Sequence, residues 1–476
     1  MKNTTARVSA LGVLVAVSLC FAENIDTIYM PAPLTTSNPS AATPETNGLK
    51  IKQSGFIGLE GGEIVQGSLD PNHSTVGTGT TGDVEKSWME RLLFQYVNDI
   101  AVSDRIRVVL AIECQLGYHY PYDQTAIYDV HQPAFSFYPD RAEGMYTFGD
   151  LNRPWLQLGF GYFPFRTNPD VRNLGEYLFR TNTYPVYVMN NFNRPYSRML
   201  GFRASSTLFD SLHQDLLLTS SNLLPPLVDW SLSYLISYRL LNFLDIGGGI
   251  SFCHLFTVMD NLESDKDYEY INQSGDTVAY TFKGTKPMLR FAIDPKPLLG
   301  WQHLFSQADL RLYGEMCVTG WEDQANYDTS AAAAHYYDNR GDRTLYMMGL
   351  NVPFFRLVQL ATFDAIKENP DDVFSIEVEH FPNKYPNSAY NLFGSTGQWA
   401  PIPTLAPANS EVGPHVFPWF WSFYFKKTFL DHFALIVQLA RDHTKPITIP
   451  LNYAFNEDIF ERQADWWWNI RLNVFY

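Results

Sequence analysis

The stretch that decides the fold is Trp466-Trp467-Trp468-Asn469-Ile470-Arg471-Leu472-Asn473-Val474-Phe475-Tyr476, the last of the sequence. Trp466, Trp468, Ile470, Leu472, Val474 and Tyr476 share one parity, and Trp467, Asn469, Arg471, Asn473 and Phe475 share the other. A β-strand points alternate side chains to opposite faces, so the segment predicts one apolar face and one mostly polar face. Its length suits a strand crossing a bilayer at a tilt.

Working upstream, the same zigzag recurs from about residue 51. Ile106, Val108, Leu110 and Ile112 oppose Arg105, Arg107, Glu113 and Gln115. Leu310, Leu312, Met316 and Val318 oppose Asp309, Arg311, Tyr313 and Glu315, and Phe374, Ile376 and Val378 oppose Ser375, Glu377 and Glu379. Charge at every second position of a strand is costly toward lipid and natural toward a watery lumen. Sixteen such segments are expected, near residues 53–67, 86–98, 104–119, 143–150, 155–165, 197–208, 212–220, 229–240, 244–256, 284–294, 306–319, 343–355, 372–381, 417–427, 432–442 and 465–476. Their boundaries allow fourteen to eighteen. The stretch 355–372 reads as a bulge or a strand extension. Short turns near 98–104, 150–154, 209–212, 241–243, 295–305 and 427–430 alternate with long polar loops such as 257–284, 320–343, 382–416 and 443–464. A soluble sandwich or propeller also has alternating strands, but it does not explain this asymmetry of loop lengths together with an aromatic last strand.

An apolar-out, polar-in terminal strand ending in an aromatic resembles the closing strand of bacterial outer-membrane β-barrels. The resemblance implies an all-β, antiparallel transmembrane barrel with short periplasmic turns and long extracellular loops. It also implies that Trp466, Trp468, Ile470, Leu472, Val474 and Tyr476 form a signal read by the barrel-assembly machinery. In overall style the chain resembles porin-like proteins of Fibrobacter-type bacteria.

The other end of the sequence agrees. Lys2 and Arg7 precede an apolar stretch over residues 8–21, and Cys20 and Ala22 make a small-x-small cleavage site. This predicts a cleaved signal peptide over residues 1–22. A Thr-, Ser- and Pro-rich segment, 23–50, cannot bury a core and is expected to be a flexible periplasmic lead-in to a barrel over 51–476. Hydrophobic content is 46% while mean hydropathy is only −0.17, which fits apolar residues that alternate instead of clustering. Aromatic content is 15%, and membrane barrels place aromatics in girdles at both interfaces. The net charge of −16 argues against nucleic-acid binding, which needs a basic surface. Cys114, Cys253 and Cys317 are widely spaced and read as isolated packing residues.

The candidate functional segment follows the fifth strand. Residues 155–165 read as a strand ending in Pro164-Phe165, and a loop then runs through residues 166–185 with a short helix-like Glu176-Tyr177-Leu178-Phe179-Arg180. This is similar to many porins, in which the loop after strand five folds into the lumen and narrows it. The resemblance implies that Arg166, Asp170, Arg172, Glu176, Tyr177, Arg180 and Tyr184 form a constriction faced by Arg105, Arg107, Glu113 and Arg203 from the wall. Opposed charges in a narrow wet pore set a transverse field that selects by charge. The same residue types also serve to pin and pack a loop. No nucleophile elbow, phosphate-binding loop or zinc-binding helix motif is present, so neither enzyme activity nor a metal or other cofactor is expected. The expected function is passive diffusion of small hydrophilic solutes. The alternatives are a substrate-specific channel, for oligosaccharides for example, or a structural or adhesive barrel. The expected partners are outer-membrane lipid, the solutes, and further copies of the chain, since aromatic strands such as 419–425 can pack together.

Overall fold

In the computed structural model, the residues described are 49–68, 83–120, 134–151, 154–180, 197–209, 211–220, 229–256, 269–271, 277–279, 284–321, 324–325, 336–337, 340–363, 368–382, 417–430, 432–443 and 463–476. The proposed leader and most of the segment that follows it lie outside them, as do Tyr184 and most of the long loops.

Sixteen antiparallel strands close into one barrel. They are β1 Lys50–Ser68, β2 Asp83–Ala101, β3 Ile106–Tyr120, β4 Ala134–Gly149, β5 Pro154–Phe165, β6 Ser197–Leu208, β7 Leu212–Ser220, β8 Trp230–Leu240, β9 Leu244–Phe256, β12 Gly284–Ile293, β13 Leu312–Val318, β16 Thr344–Val352, β17 Val373–His380, β18 Trp419–Phe429, β19 Phe433–Arg441 and β20 Trp466–Phe475. Two small hairpins lie in the long loops: β10 Glu269–Ile271 with β11 Thr277–Ala279, and β14 Gln324–Ala325 with β15 Tyr336–Tyr337. Three short α-helices, α1 Tyr177–Arg180, α2 Lys296–Leu299 and α3 Phe354–Ala361, and one turn of 3-10 helix, Arg340–Arg343, complete the described elements. No described helix is long and apolar enough to cross a membrane.

Alternation settles which side is which. In β20, Trp467, Asn469 and Asn473 are buried while Ile470 and Leu472 are exposed. The same parity holds on the other strands. Leu59, Leu110, Phe202, Ile246, Met348 and Val378 all point outward and are exposed. An apolar belt that runs round every strand of a closed barrel is stable against hydrocarbon and not against water.

The barrel closes where β1 meets β20, and Glu60 sits opposite Arg91 on one side and Arg471 on the other. Arg91 Nη2 donates to both Glu60 oxygens at 2.9 and 3.1 Å, and Arg471 Nε lies 3.9 Å away. Register therefore places a base–acid–base row across the seam, on the inner face.

The strand map differs from the expectation in three places. β4 begins at Ala134, about nine residues earlier than expected, because Pro139 and Asp140 are absorbed at a bulge opposite Ala111/Ile112. β13 starts at Leu312, not near 306. The preceding residues form a connection held by Lys296, whose ammonium donates to the carbonyls of Gln307 and Asp309. The stretch 355–372 is mostly neither bulge nor strand: Pro353 occupies the N-cap of α3, and the chain then turns before β17.

Candidate functional site

The loop after β5 turns inward and crosses to the far wall. Its described part, residues 166–180, is held chiefly by carboxylates that belong to the barrel. Glu377, inward on β17, accepts from the backbone N–H groups of Arg172 (2.5 Å), Asn173 (2.8 Å) and Leu174 (2.8 Å), and from the Tyr313 hydroxyl (2.8 Å). Glu315, inward on β13, accepts from the N–H groups of Glu176 (3.0 Å) and Tyr177 (2.8 Å). Glu379 takes the Tyr177 hydroxyl at 2.6 Å, and Asp442 takes the Asn173 amide at 2.6 Å. An ion pair between Arg311 and Asp170, 2.8 Å, completes the contact. Buried carboxylates are costly unless several donors converge on them, and at Glu377 and Glu315 the loop backbone supplies all of those donors but the Tyr313 hydroxyl.

The loop's own geometry makes this fit. Gly175 (φ 94°) and Glu176 (φ 61°) adopt positive φ in succession, which turns consecutive N–H groups toward Glu315. A Cβ at Gly175 would stand 3.1 Å from Val171 Cγ2 and 3.4 Å from Glu315 Oε2. The Glu176 side chain folds back to accept from Thr167 N (2.8 Å), Thr167 Oγ1 (2.9 Å) and Asn168 N (2.6 Å). Burial raises its pKa, while Arg166 and these hydrogen bonds pull it down. Burial likewise lowers the Arg166 guanidinium, against the attraction of Glu176. Burial first, then the nearby Glu379 charge, pushes the Tyr177 phenol well up. Beneath the polar contacts Val171, Leu174, Leu178 and Phe179 pack with Phe163, Met199, Tyr313 and Met347 in one apolar cluster inside the barrel. This part of the loop therefore has a core of its own.

Of the residues singled out in the sequence, Arg166, Asp170, Arg172, Glu176, Tyr177 and Arg180 come together in this loop. Arg166 and Arg180 donate to the loop carbonyls of Val171 and Asn173. Buried nitrogens of Arg166, Arg172, Arg180 and Arg311 lack hydrogen-bond partners. Glu113 and Arg203 are inward on the opposite wall. Arg203 pairs with Glu143 at 2.8 Å, and Glu113 accepts from the Tyr138 hydroxyl at 2.7 Å and lies 3.5 Å from Arg198. Arg105 and Arg107 are not brought to the loop. They sit at the short-turn rim, where Arg107 pairs with Asp99 at 2.6 Å and Arg105 donates to the carbonyls of Thr147 and Gly149.

Sequence reasoning did not assign Glu315, Glu377, Glu379 and Asp442 to the site. The available signal was four inward-parity acids, Asp309, Glu315, Glu377 and Glu379, on the strands expected over 306–319 and 372–381, against one base, Arg311. Tyr476 and the outward residues of β20 sit at the closure: Tyr476 exchanges backbone hydrogen bonds with Gly55 at 3.1 and 3.2 Å, and its hydroxyl donates to Gln95 O at 3.0 Å.

No family model and no curated protein matches the chain. Among solved structures it is similar to OmpF of Salmonella typhi in complex with daunomycin, at 8% identity and a TM-score of 0.43, over 91% of this chain and 99% of that one. It is also similar to a triple mutant of the porin of Rhodopseudomonas blastica, at 6% identity and a TM-score of 0.39, over 90% and 100%. Scores this low leave the fold resting on the strand topology of the chain itself.

Proposed function

We propose that this chain is a porin-like outer-membrane channel for passive diffusion of small hydrophilic solutes. The reading includes export through a cleaved leader over residues 1–22, a lead-in over 23–50, assembly through the terminal strand, and no enzymatic activity. The narrower resemblance, to porins of Fibrobacter-type bacteria, rests on sequence style.

One observation carries the proposal: the loop after β5 lies inside a closed barrel and is latched to inner-wall carboxylates on β13 and β17. A barrel built only as a scaffold has no need of a segment packed inside it at fixed geometry. The loop would set the aperture, with Arg166, Asp170, Arg172, Glu176 and Arg180 on one side and Glu113 and Arg203 across from it. A second reading also has an observation behind it. Inward polar residues right round the barrel, such as Gln95, Ser233, Glu377, Gln438 and Asn469, are at most 1% exposed. That favours a lumen closed at rest, as in a structural or adhesive barrel or a gated specific channel.

Planar-bilayer recording on the refolded protein separates the two. The channel reading expects stepwise currents of small amplitude that grow when residues 168–183 are deleted. Steps that survive the deletion unchanged in size and selectivity would remove the loop from the aperture. Silence from both proteins would favour the scaffold. Saturable block of the current by an oligosaccharide would favour the specific channel.

A further inference from the structure

The short-turn rim of the barrel is apolar where ordinary turn chemistry calls for polar residues. All seven connections on this rim, five tight turns and the longer ones over 294–311 and 353–372, carry at least one exposed apolar side chain. They are Val102, Leu151, Phe209, Leu241, Leu298 with Leu299, Leu357 with Leu360 and Phe363, and Leu430. Four of these residues are strained as well. Phe209 (φ 54°), Leu241 (φ 54°), Phe363 (φ 50°) and Leu430 (φ 52°) hold positive φ, and they are 89%, 70%, 94% and 81% exposed. Asn or Gly would occupy such positions at less cost in water.

The helix α3 repeats the theme. Phe354, Leu357 and Leu360 fall on one face and are exposed, whereas Gln359 is turned inward and accepts from the backbone N–H of Glu368 at 3.3 Å. The apolar face thus points away from the protein. That face is continuous with the outer belt: the Phe354 ring lies 5.6 Å from Phe374 and 5.9 Å from Phe425, both outward on their strands. Beside it, the connection through α2 exposes Leu298, Leu299, Trp301 and Leu304. The α2 connection is tied to the end of β16, just ahead of α3, by Asn351, whose amide donates to Ala308 O at 2.9 Å.

We propose that this rim is a lipid anchor, with the turn tips and the outer face of α3 seated in the headgroup–acyl boundary of the leaflet on the short-turn side. A phospholipid surface is the occupant that fits. The apolar residues go round the whole circumference, which no single docked protein would cover, and α3 continues the lipid-facing belt without a break. An interfacial helix of this kind lies in the membrane plane with its apolar face down. The inference rests on the barrel lying in a bilayer and does not depend on whether it conducts.

The test is nitroxide accessibility in phosphatidylcholine–phosphatidylglycerol vesicles. Labels are attached in Leu241→Cys, Leu357→Cys and Leu430→Cys variants on a background lacking Cys114, Cys253 and Cys317, each checked for folding by heat-modifiable gel mobility. Leu350→Cys on the outer belt and Gln463→Cys, exposed on the opposite rim ahead of β20, are the references. The anchor expects collision with oxygen to rise, and collision with a water-soluble nickel chelate to fall severalfold, at 241, 357 and 430 relative to 463. Nickel access equal to that at 463 would overturn it. Exclusion of both quenchers with spin–spin broadening would overturn it too, in favour of contact between copies. Nickel access at 350 as well would overturn the membrane-barrel reading, and the anchor with it.

Discussion

Replacing Glu377 with Gln tests whether wall carboxylates hold the loop. Its two oxygens serve four donors: Oε1 takes Arg172 N–H and the Tyr313 hydroxyl, and Oε2 takes Asn173 N–H and Leu174 N–H. In Glu377→Gln one oxygen becomes an amide nitrogen: placed at Oε2 it faces two N–H donors, and placed at Oε1 it faces the Arg172 N–H while the Tyr313 hydroxyl turns to accept. A hydrogen bond to a charged group contributes about 1.5–3 kcal/mol, and an orphaned buried donor costs about 1–3 kcal/mol. The loop relaxes and recovers part of this, leaving a net loss of about 3 kcal/mol in the latch. At 1.4 kcal/mol per tenfold, that multiplies the released population about 150-fold.

The readout is amide hydrogen exchange at residues 172–174 in the vesicle-reconstituted protein, where exchange reports local release. Glu377→Gln is expected to speed it by the same factor, about 150-fold, while the barrel strands keep their protection. Tyr313→Phe removes one of the four bonds and leaves the carboxylate in place, so about 1 kcal/mol and a fivefold change are expected. The exchange rates at 172–174 decide the matter: if both variants leave them at the wild-type value, Glu377 is a spectator and the loop is held by its apolar cluster alone.

Three further outcomes follow from the same geometry. Gly175→Ala puts a Cβ on a residue with φ 94°, 3.1 Å from Val171. It should loosen the loop by about 1–2 kcal/mol and hasten tryptic cleavage after Arg172 or Arg180, and an unchanged cleavage rate would count against the strain argument. Arg91→Ala strips the close charged partner from buried Glu60, with the Asn469 amide at 3.4 Å and Arg471 at 3.9 Å still beside it. A loss of about 3 kcal/mol is expected, read as a lower urea midpoint for unfolding from vesicles, and a midpoint within error of wild type would refute it. On the short-turn side, burial first and then the neighbouring Asp309 raise Glu368 to about 7. The folded state therefore binds this proton more tightly than the unfolded chain does. The stabilisation is present below the unfolded pKa and is lost as pH rises through the folded one. Protection of the 353–363 connection should thus fall between about pH 4.5 and pH 7, once corrected for intrinsic exchange, and Glu368→Gln should flatten that profile.

The strands were legible in the sequence because a period of two is a local property: each one shows its inward and outward faces without reference to its neighbours. What hid β4 was Pro139, which reads as a break in one dimension but is tolerated at a bulge once β3 lies alongside. The α3 segment was hidden by the wrong period. Phe354, Leu357 and Leu360 repeat at three, and their exposure inverts the usual rule that an apolar stripe faces a core. The loop residues were found as a group because they are consecutive. Their partners were not, because Glu377 lies 205 residues from Arg172, and only barrel closure and register bring the two together.

That division bears on how such a site would work. The latch pairs wall side chains largely with loop backbone, so it fixes the path of the loop with little regard to the loop's own side chains, apart from Asp170, Asn173 and Tyr177. Arg172 illustrates the separation: its backbone N–H is held by Glu377 while its guanidinium Nε has no hydrogen-bond partner. Position and charge are therefore set by different atoms of one residue. Changing Arg172 to Ala should alter the field in the lumen and leave the loop where it is, whereas changing Glu377 should move the loop and leave its charges intact. A loop pinned by salt bridges could not have its charge altered without being moved, since each altered charge would also remove an anchor.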